Sequence, residues 1–203
     1  MIIFPAKGVK TSSIPGYTYG SKTLATSPVS LEDLARLEST VLWTDDDVAA
    51  LRRAGEILGP QADRILDVWY GFVGSHDFLI ASFAGADGTA NPDYLGAVRA
   101  RFAQWIVDVC SRDRDQEWLD YQHEIALRHT AAKKNLTDGV SSPASVINLR
   151  YIIAFIVPLT ATIRPFLAEQ APDADEVEAM YQAWFKSVTI TAALWAEPYS
   201  PSW

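Results

Sequence analysis

Cysteine is almost absent from this 203-residue chain, and that scarcity sets the first limit. With Cys110 alone, no intrachain disulfide can form, and a single thiol suits a reducing cytoplasm. Cys110 itself reads as a small core residue. Histidine is scarce as well. Only His76, His123 and His129 occur, in no H-E-x-x-H arrangement and with no cysteine cluster. A bare zinc site needs about three or four protein ligands, so none is expected. Long uncharged apolar runs are also lacking. The nearest, residues 151–159, falls short of the roughly 18 to 20 residues of a membrane span, and the N-terminus carries no signal-peptide core. The expectation is a soluble, cytoplasmic protein with no membrane partner. Basic residues number 17 against 25 acidic ones, for a formal charge of −8. Nucleic-acid affinity rests on clustered Lys and Arg, so no nucleic-acid partner is expected. G-x-S-x-G, Walker and G-x-G-x-x-G patterns are missing, which removes the usual hydrolase and nucleotide sites. The acidic groups at 45–47 and at Glu176 and Glu178 read as solvated helix starts.

What is present points to a folded globule. Hydrophobic residues make up 49% and charged residues 21%, and the length suits one domain able to bury a core and a cofactor. Seven Trp and eight Phe either thicken that core or wall a flat apolar ligand. Residues 1–28, with Pro5, Pro15, Gly16, Gly20 and Pro28, read as an irregular arm. Ser30 can cap a short helix over about 30–41, with Asp33 three residues on. A second helix starts at Thr44 and stops near Gly59-Pro60. A third carries Ile65, Val68, Trp69 and Phe72 at helical intervals. After a loop at 84–92, a fourth helix spans about 94–109, and a fifth closes on His129. A loop at 134–143 leads to two long helices, about 146–168 and 173–195. Pro158 and Pro165 should kink or break the first of these. In the second, Val177, Tyr181, Trp184, Val188, Thr191 and Trp195 form a stripe that is either core or a seam against a partner helix. No strand pattern competes, so the class is all-α.

His129 is the main candidate for chemistry. One imidazole cannot hold a free metal ion, but it can be the sole protein ligand of haem iron, because the porphyrin supplies the in-plane bonds. His123 lies six residues earlier, on the other side of the helix, and cannot share an ion with it. Trp69 and Tyr70 on the third helix offer N–H and O–H donors to a ligand on the far face of such an iron. They point about 100° apart, so one suits a pocket centre and the other its rim. Phe102 lies on a neighbouring helix, and Arg99 and Arg101 beside it can meet haem propionates through charge-assisted hydrogen bonds.

Several segments carry a family resemblance. They are Ile14-Pro-Gly-Tyr-Thr-Tyr-Gly20, Asp67-Val-Trp-Tyr-Gly71, Arg99-Ala-Arg-Phe102, Glu117-Trp-Leu-Asp-Tyr-Gln122 and Leu127-Arg-His129. Lys133-Lys-Asn-Leu-Thr-Asp-Gly-Val140, Leu149-Arg-Tyr-Ile-Ile-Ala-Phe155 and Ala183-Trp-Phe-Lys-Ser187 follow in order. Together they resemble the protoglobins, single-domain haem proteins of archaea and bacteria related to the globin domain of globin-coupled sensors. The likeness runs from about residue 14 to Tyr199. Segment 141–148 is one residue longer than its counterpart and lacks a histidine often found there, and His123 stands where a tyrosine is common.

The resemblance implies a 3-over-3 globin fold: an arm over 1–28, an extra N-terminal helix over about 30–41, and a globin core over 44–197. It matches His129 to the proximal iron ligand of haem b, iron protoporphyrin IX. It matches Trp69, Tyr70 and Phe102 to the distal pocket, Val98 to the site of the distal histidine of many globins, and Ile152 and Phe155 to the cavity wall. It further implies reversible binding of O₂, CO or NO, for gas binding or sensing, and a homodimer through the last two helices. The alternative is a haem enzyme for NO dioxygenation, peroxide chemistry or carbene and nitrene transfer. A dedicated peroxidase would want a distal His–Arg pair, and none is evident.

Overall fold

The computed structural model describes residues 14–171, 173–200 and 203. The start of the arm, including Pro5, lies outside the described residues. Eight α-helices are described: α1 Leu31–Thr40, α2 Asp45–Leu58, α3 Ala62–Gly74, α4 Asp77–Ile80, α5 Pro92–Ser111, α6 Gln116–Leu127, α7 Leu149–Ala168 and α8 Ala174–Ala196. Among the described residues the only β feature is an isolated bridge between Ala84 and Ala90. The all-α expectation holds.

Local chemistry sets most helix starts. Ser30 and Thr44 each accept a hydrogen bond from the backbone N–H three residues on, and Asp33 and Asp47 reach back to the capping residue's own N–H. Asn91, Asp115 and Asp173 cap α5, α6 and α8 in the same sense. Asp47 is not solvated, as its neighbours would suggest. It is buried, and the Lys186 ammonium on α8 donates to both carboxylate oxygens at 2.8 and 2.9 Å.

The main core joins α2, α3, α5, α7 and α8 through residues such as Leu58, Ile65, Leu66, Ile106, Ile163, Leu167 and Trp184. Burying the Trp184 ring removes roughly 200 Å² from water, a gain on the order of 5 kcal/mol at most. Its indole N–H has no partner among the described residues, at a cost of about 1–3 kcal/mol, so burial wins. Gly55 lets α2 and α5 close together, since a Cβ there would sit 2.6 Å from the Cβ of Cys110. A smaller core docks α1 through Leu34 and the preceding Val29 onto Trp118 and Leu119 of α6 and Ile190 and Leu194 of α8. Arg114 ties this layer together, donating to Glu38 at 2.8 Å and to the Ser187 hydroxyl at 3.0 Å.

Three expectations need correction. First, α6 ends at Leu127, two residues before His129. The His129 carbonyl accepts from the Ile147 N–H at 2.8 Å, and the Tyr199 hydroxyl lies 2.9 Å from it and 2.6 Å from the Ile147 carbonyl. Residues 140–148 form no helix, so α7 begins at Leu149 rather than near 146. Second, the local break allowed for at Pro158 and Pro165 is not seen, and α7 runs through both prolines as one helix. Each proline removes one ladder bond, and packing against α3 and α8 outweighs that loss. Third, α7 is long and apolar enough to cross a membrane by length and composition, with a mean hydropathy of 1.7 over 18 residues. Arg150 and Arg164 interrupt the uncharged run, which hid this from a search for uninterrupted apolar sequence. Its inner face is committed to the core through Ile152, Leu159, Ile163 and Leu167.

Candidate functional site

A cavity of about 270 Å³ lies among α3, α5, α7, the end of α8 and the turns that follow α6. It gathers eight of the nine sequence-predicted site residues: Trp69, Tyr70, Val98, Arg101, Phe102, His129, Ile152 and Phe155. Arg99 does not line it. Its guanidinium points away, donating at 2.9 Å to the Asp63 carbonyl and to Asp67, and lies 5.8 Å from the Tyr70 ring centroid. Neither of the other histidines lines it: His123 faces Glu197 at 3.6 Å, and the Nδ1 of His76 lies 2.9 Å from the Phe72 carbonyl oxygen.

His129 is held in a defined tautomer. Its Nδ1 lies 2.8 Å from the Ile125 carbonyl oxygen, which can only accept, so Nδ1 carries the proton and Nε2 keeps its lone pair. Burial pulls the ring below the usual histidine value, and the charges of Lys134 and Arg128 pull the same way against the Ile125 hydrogen bond. The imidazole is therefore neutral and able to act as a ligand. Its ring stacks on Trp195 with centroids 4.9 Å apart, and the Trp195 N–H donates to buried Gln122 at 2.9 Å. The α8 stripe thus faces inward: Val177, Trp184, Val188 and Thr191 are buried, and Trp195 braces His129. That stripe is core, not a seam.

On α3, Trp69 stacks against Phe102 with centroids 4.8 Å apart, and Tyr70 meets the same ring edge-on at 6.5 Å. Neither the Trp69 N–H nor the Tyr70 hydroxyl has a hydrogen-bond partner among the described residues. Two buried donors without acceptors in a cavity wall fit a guest that brings an acceptor. Burial pushes Tyr70 up to about 12, while Arg99 and Arg101 pull it down, so its hydroxyl keeps its proton at neutral pH.

The polar edge of the cavity is tied to the arm. Arg101 donates to both oxygens of Asp138, at 2.8 and 2.6 Å, and to the Pro15 carbonyl at 2.8 Å. Arg128 donates to Glu124 at 3.0 Å, to the Gly16 carbonyl at 2.7 Å and to the Thr18 hydroxyl at 2.9 Å. Tyr17 donates to Asp108 at 2.7 Å. Gly16 sits at φ +73°, and a Cβ there would fall 2.7 Å from the Arg101 guanidinium, so only glycine suits this crossing.

A family model described as Protoglobin matches residues 30–202. The chain belongs to the protoglobin family. It is accordingly a globin-type haem protein that binds a small gas such as O₂. Comparison with curated protein sequences finds no match. The family match begins after the arm, so Ile14 to Gly20 owe their place at the site to the contacts above. The residues of this protoglobin fit a haem: one neutral imidazole with a free Nε2, aromatic walls and orphaned donors line one cavity. Sequence reading missed Lys134, Tyr17, Trp105 and Thr191, which also line the cavity. For Trp105 and Thr191 the only signal was helical periodicity, which core residues share.

Proposed function

We propose that this protoglobin would hold haem b with His129 as the protein ligand of the iron and would bind O₂, CO and NO reversibly, for gas binding or sensing. The observation that carries the reading is the His129 tautomer, with Nδ1–H fixed on the Ile125 carbonyl and Nε2 left as the ligand atom. Haem, when bound, supplies an iron centre able to take a diatomic gas. Trp195 and Gln122 orient the imidazole. Val98, Phe102, Ile152 and Phe155 exclude water from the apolar space. Tyr70, with Trp69 beside it, donates to a gas that gains negative charge on binding. A second copy of the chain docks through α7 and α8, a proposal supported by the outward Ile153 and Val157 on α7 and Phe185 on α8.

The test is an absorption spectrum of the purified, haem-supplemented protein, ferrous with and without CO, beside His129→Ala. A five-coordinate ferrous spectrum that converts cleanly with CO, and is lost or altered in the variant, supports the assignment. A stoichiometric haem band unchanged in the variant would reject His129 as the ligand. Absence of any such band would reject the site.

A further inference from the structure

Three cations line the cavity: Arg101, Arg128 and Lys134. The first two are each neutralised by a carboxylate, Asp138 and Glu124, at 2.6 and 3.0 Å. Lys134 is different. It is 3% exposed, and its ammonium donates only to neutral oxygens, the Ser82 carbonyl at 2.9 Å and the Asn135 side chain at 3.2 Å. The Tyr94 ring centroid lies 5.5 Å away. Among the described residues no carboxylate forms an ion pair with Lys134. An ammonium has three donors, so one is left unused. Burial of a cation without a counter-ion is among the costlier arrangements in a protein interior. Here it occurs in the lining of a largely apolar cavity, while Asp138, nearby in sequence, is taken by Arg101.

From this we infer that Lys134 is an anchor for a carboxylate side chain of the bound porphyrin, the anion its surroundings lack. The inference rests on reading the cavity as a haem site. It replaces the sequence-based expectation that Arg99 and Arg101 serve that role. Arg99 lies outside the cavity, and Arg101 already holds Asp138 with both terminal nitrogens. Lys134 would hold that carboxylate and slow loss of the bound group. The charge has no ion-pair partner among the described residues, so its removal should not weaken the fold.

The experiment compares Lys134→Met with the parent chain, each loaded with haem b or with its dimethyl ester, in which both carboxylates are masked. Loss to an excess of haem scavenger is followed by absorbance. The expected result is haem b loss faster by about tenfold or more in the variant, with ester loss alike in both proteins. The urea midpoint of the haem-free variant stays level or rises. Lys134→Gln, which keeps a donor for the Ser82 carbonyl but no charge, should show the same selective loss. Equal acceleration of both porphyrins, or no acceleration, would overturn the anchor. So would a haem-free variant that unfolds at lower urea in proportion to its haem loss. Failure of the parent chain to retain either porphyrin would instead remove the haem-site reading beneath it.

Discussion

Replacing Tyr70 with Phe removes one oxygen from the cavity wall and leaves the ring against Phe102 and Phe83. In the empty protein that hydroxyl is buried without a partner, which costs about 1–3 kcal/mol. A bound gas that accepts its hydrogen bond recovers a net contribution of about 1–1.5 kcal/mol, or roughly tenfold in dissociation rate. O₂ gains negative charge on binding ferrous haem and CO gains little. Tyr70→Phe should therefore raise the O₂ off-rate about tenfold and the CO off-rate less than about twofold. The haem-free variant should be at least as stable as the parent. The assay is stopped-flow displacement of O₂ by CO and of CO by NO, with urea unfolding of the haem-free proteins. Because burial holds the phenol near 12, the O₂ off-rate should not change between pH 6 and pH 9 through Tyr70 ionisation. Equal acceleration of both gases would refute the reasoning, as would a lower urea midpoint. Trp69→Phe is the control for the neighbouring donor. If it alone raised the O₂ rate selectively, the hydrogen bond would belong to the indole.

Other consequences can be checked on the haem-free protein. Arg101 and Asp138 are both nearly buried, so Arg101→Met or Asp138→Asn strands a charge and should cost about 2–3 kcal/mol in urea unfolding. The Arg101→Met, Asp138→Leu double variant should lose less than the sum of the two single changes. Gly55→Ala drives a methyl into Cys110 and should cost about 1–3 kcal/mol by thermal unfolding, whereas Gly59→Ala meets Val107 at 3.8 Å and should change little. His129 is held below its ordinary value of 6.5 by burial, so below that pH the unfolded chain binds a proton that the folded chain refuses. Stability should fall as pH drops below 6.5, and His129→Gln should flatten that slope in urea midpoints. Glu124 is held below 4.5 despite its burial, by Lys133 and Arg128, and adds a further loss as pH falls below that value.

The helical framework was legible because its signals are local. Ser30 with Asp33 and Thr44 with Asp47 mark their helices through bonds spanning three residues. His129 and its aromatic counterparts were legible only jointly, since each alone looks like ordinary core. Features set by distant partners were not legible. Past the end of α6, the His129 carbonyl meets Ile147 and Tyr199, partners that lie far along the chain. Asp47 looks solvated beside Asp45 and Asp46 until Lys186 arrives from α8. Four-residue α4 is too short to show a 3.6-residue period. Lys134 sits in a Lys-Lys pair at the start of a loop, where sequence does not show that Lys133 pairs with Glu124 and stays 39% exposed while Lys134 is buried.

The pattern of satisfied and unsatisfied polar groups separates holding the fold from holding a guest. Asp47, Glu124, Arg101 and Arg128 are fully engaged by partners within the chain, and each joins segments that would otherwise separate. Among the described residues the orphaned atoms are Trp69 Nε1, Tyr70 Oη, Trp105 Nε1, Thr160 Oγ1, Trp184 Nε1 and Thr191 Oγ1. Thr160 and Trp184 lie away from the cavity, so an orphaned atom is not by itself a sign of a site. The other four line it, together with the unpaired Lys134. Each raises the free energy of the empty chain by an amount a guest can return on binding. Removing the orphaned hydroxyl or the unpaired ammonium should thus stabilise the empty protein while loosening what it binds. Removing a paired group should do the opposite to the fold. A residue whose loss weakened both alike would belong to the framework, whichever wall it lines.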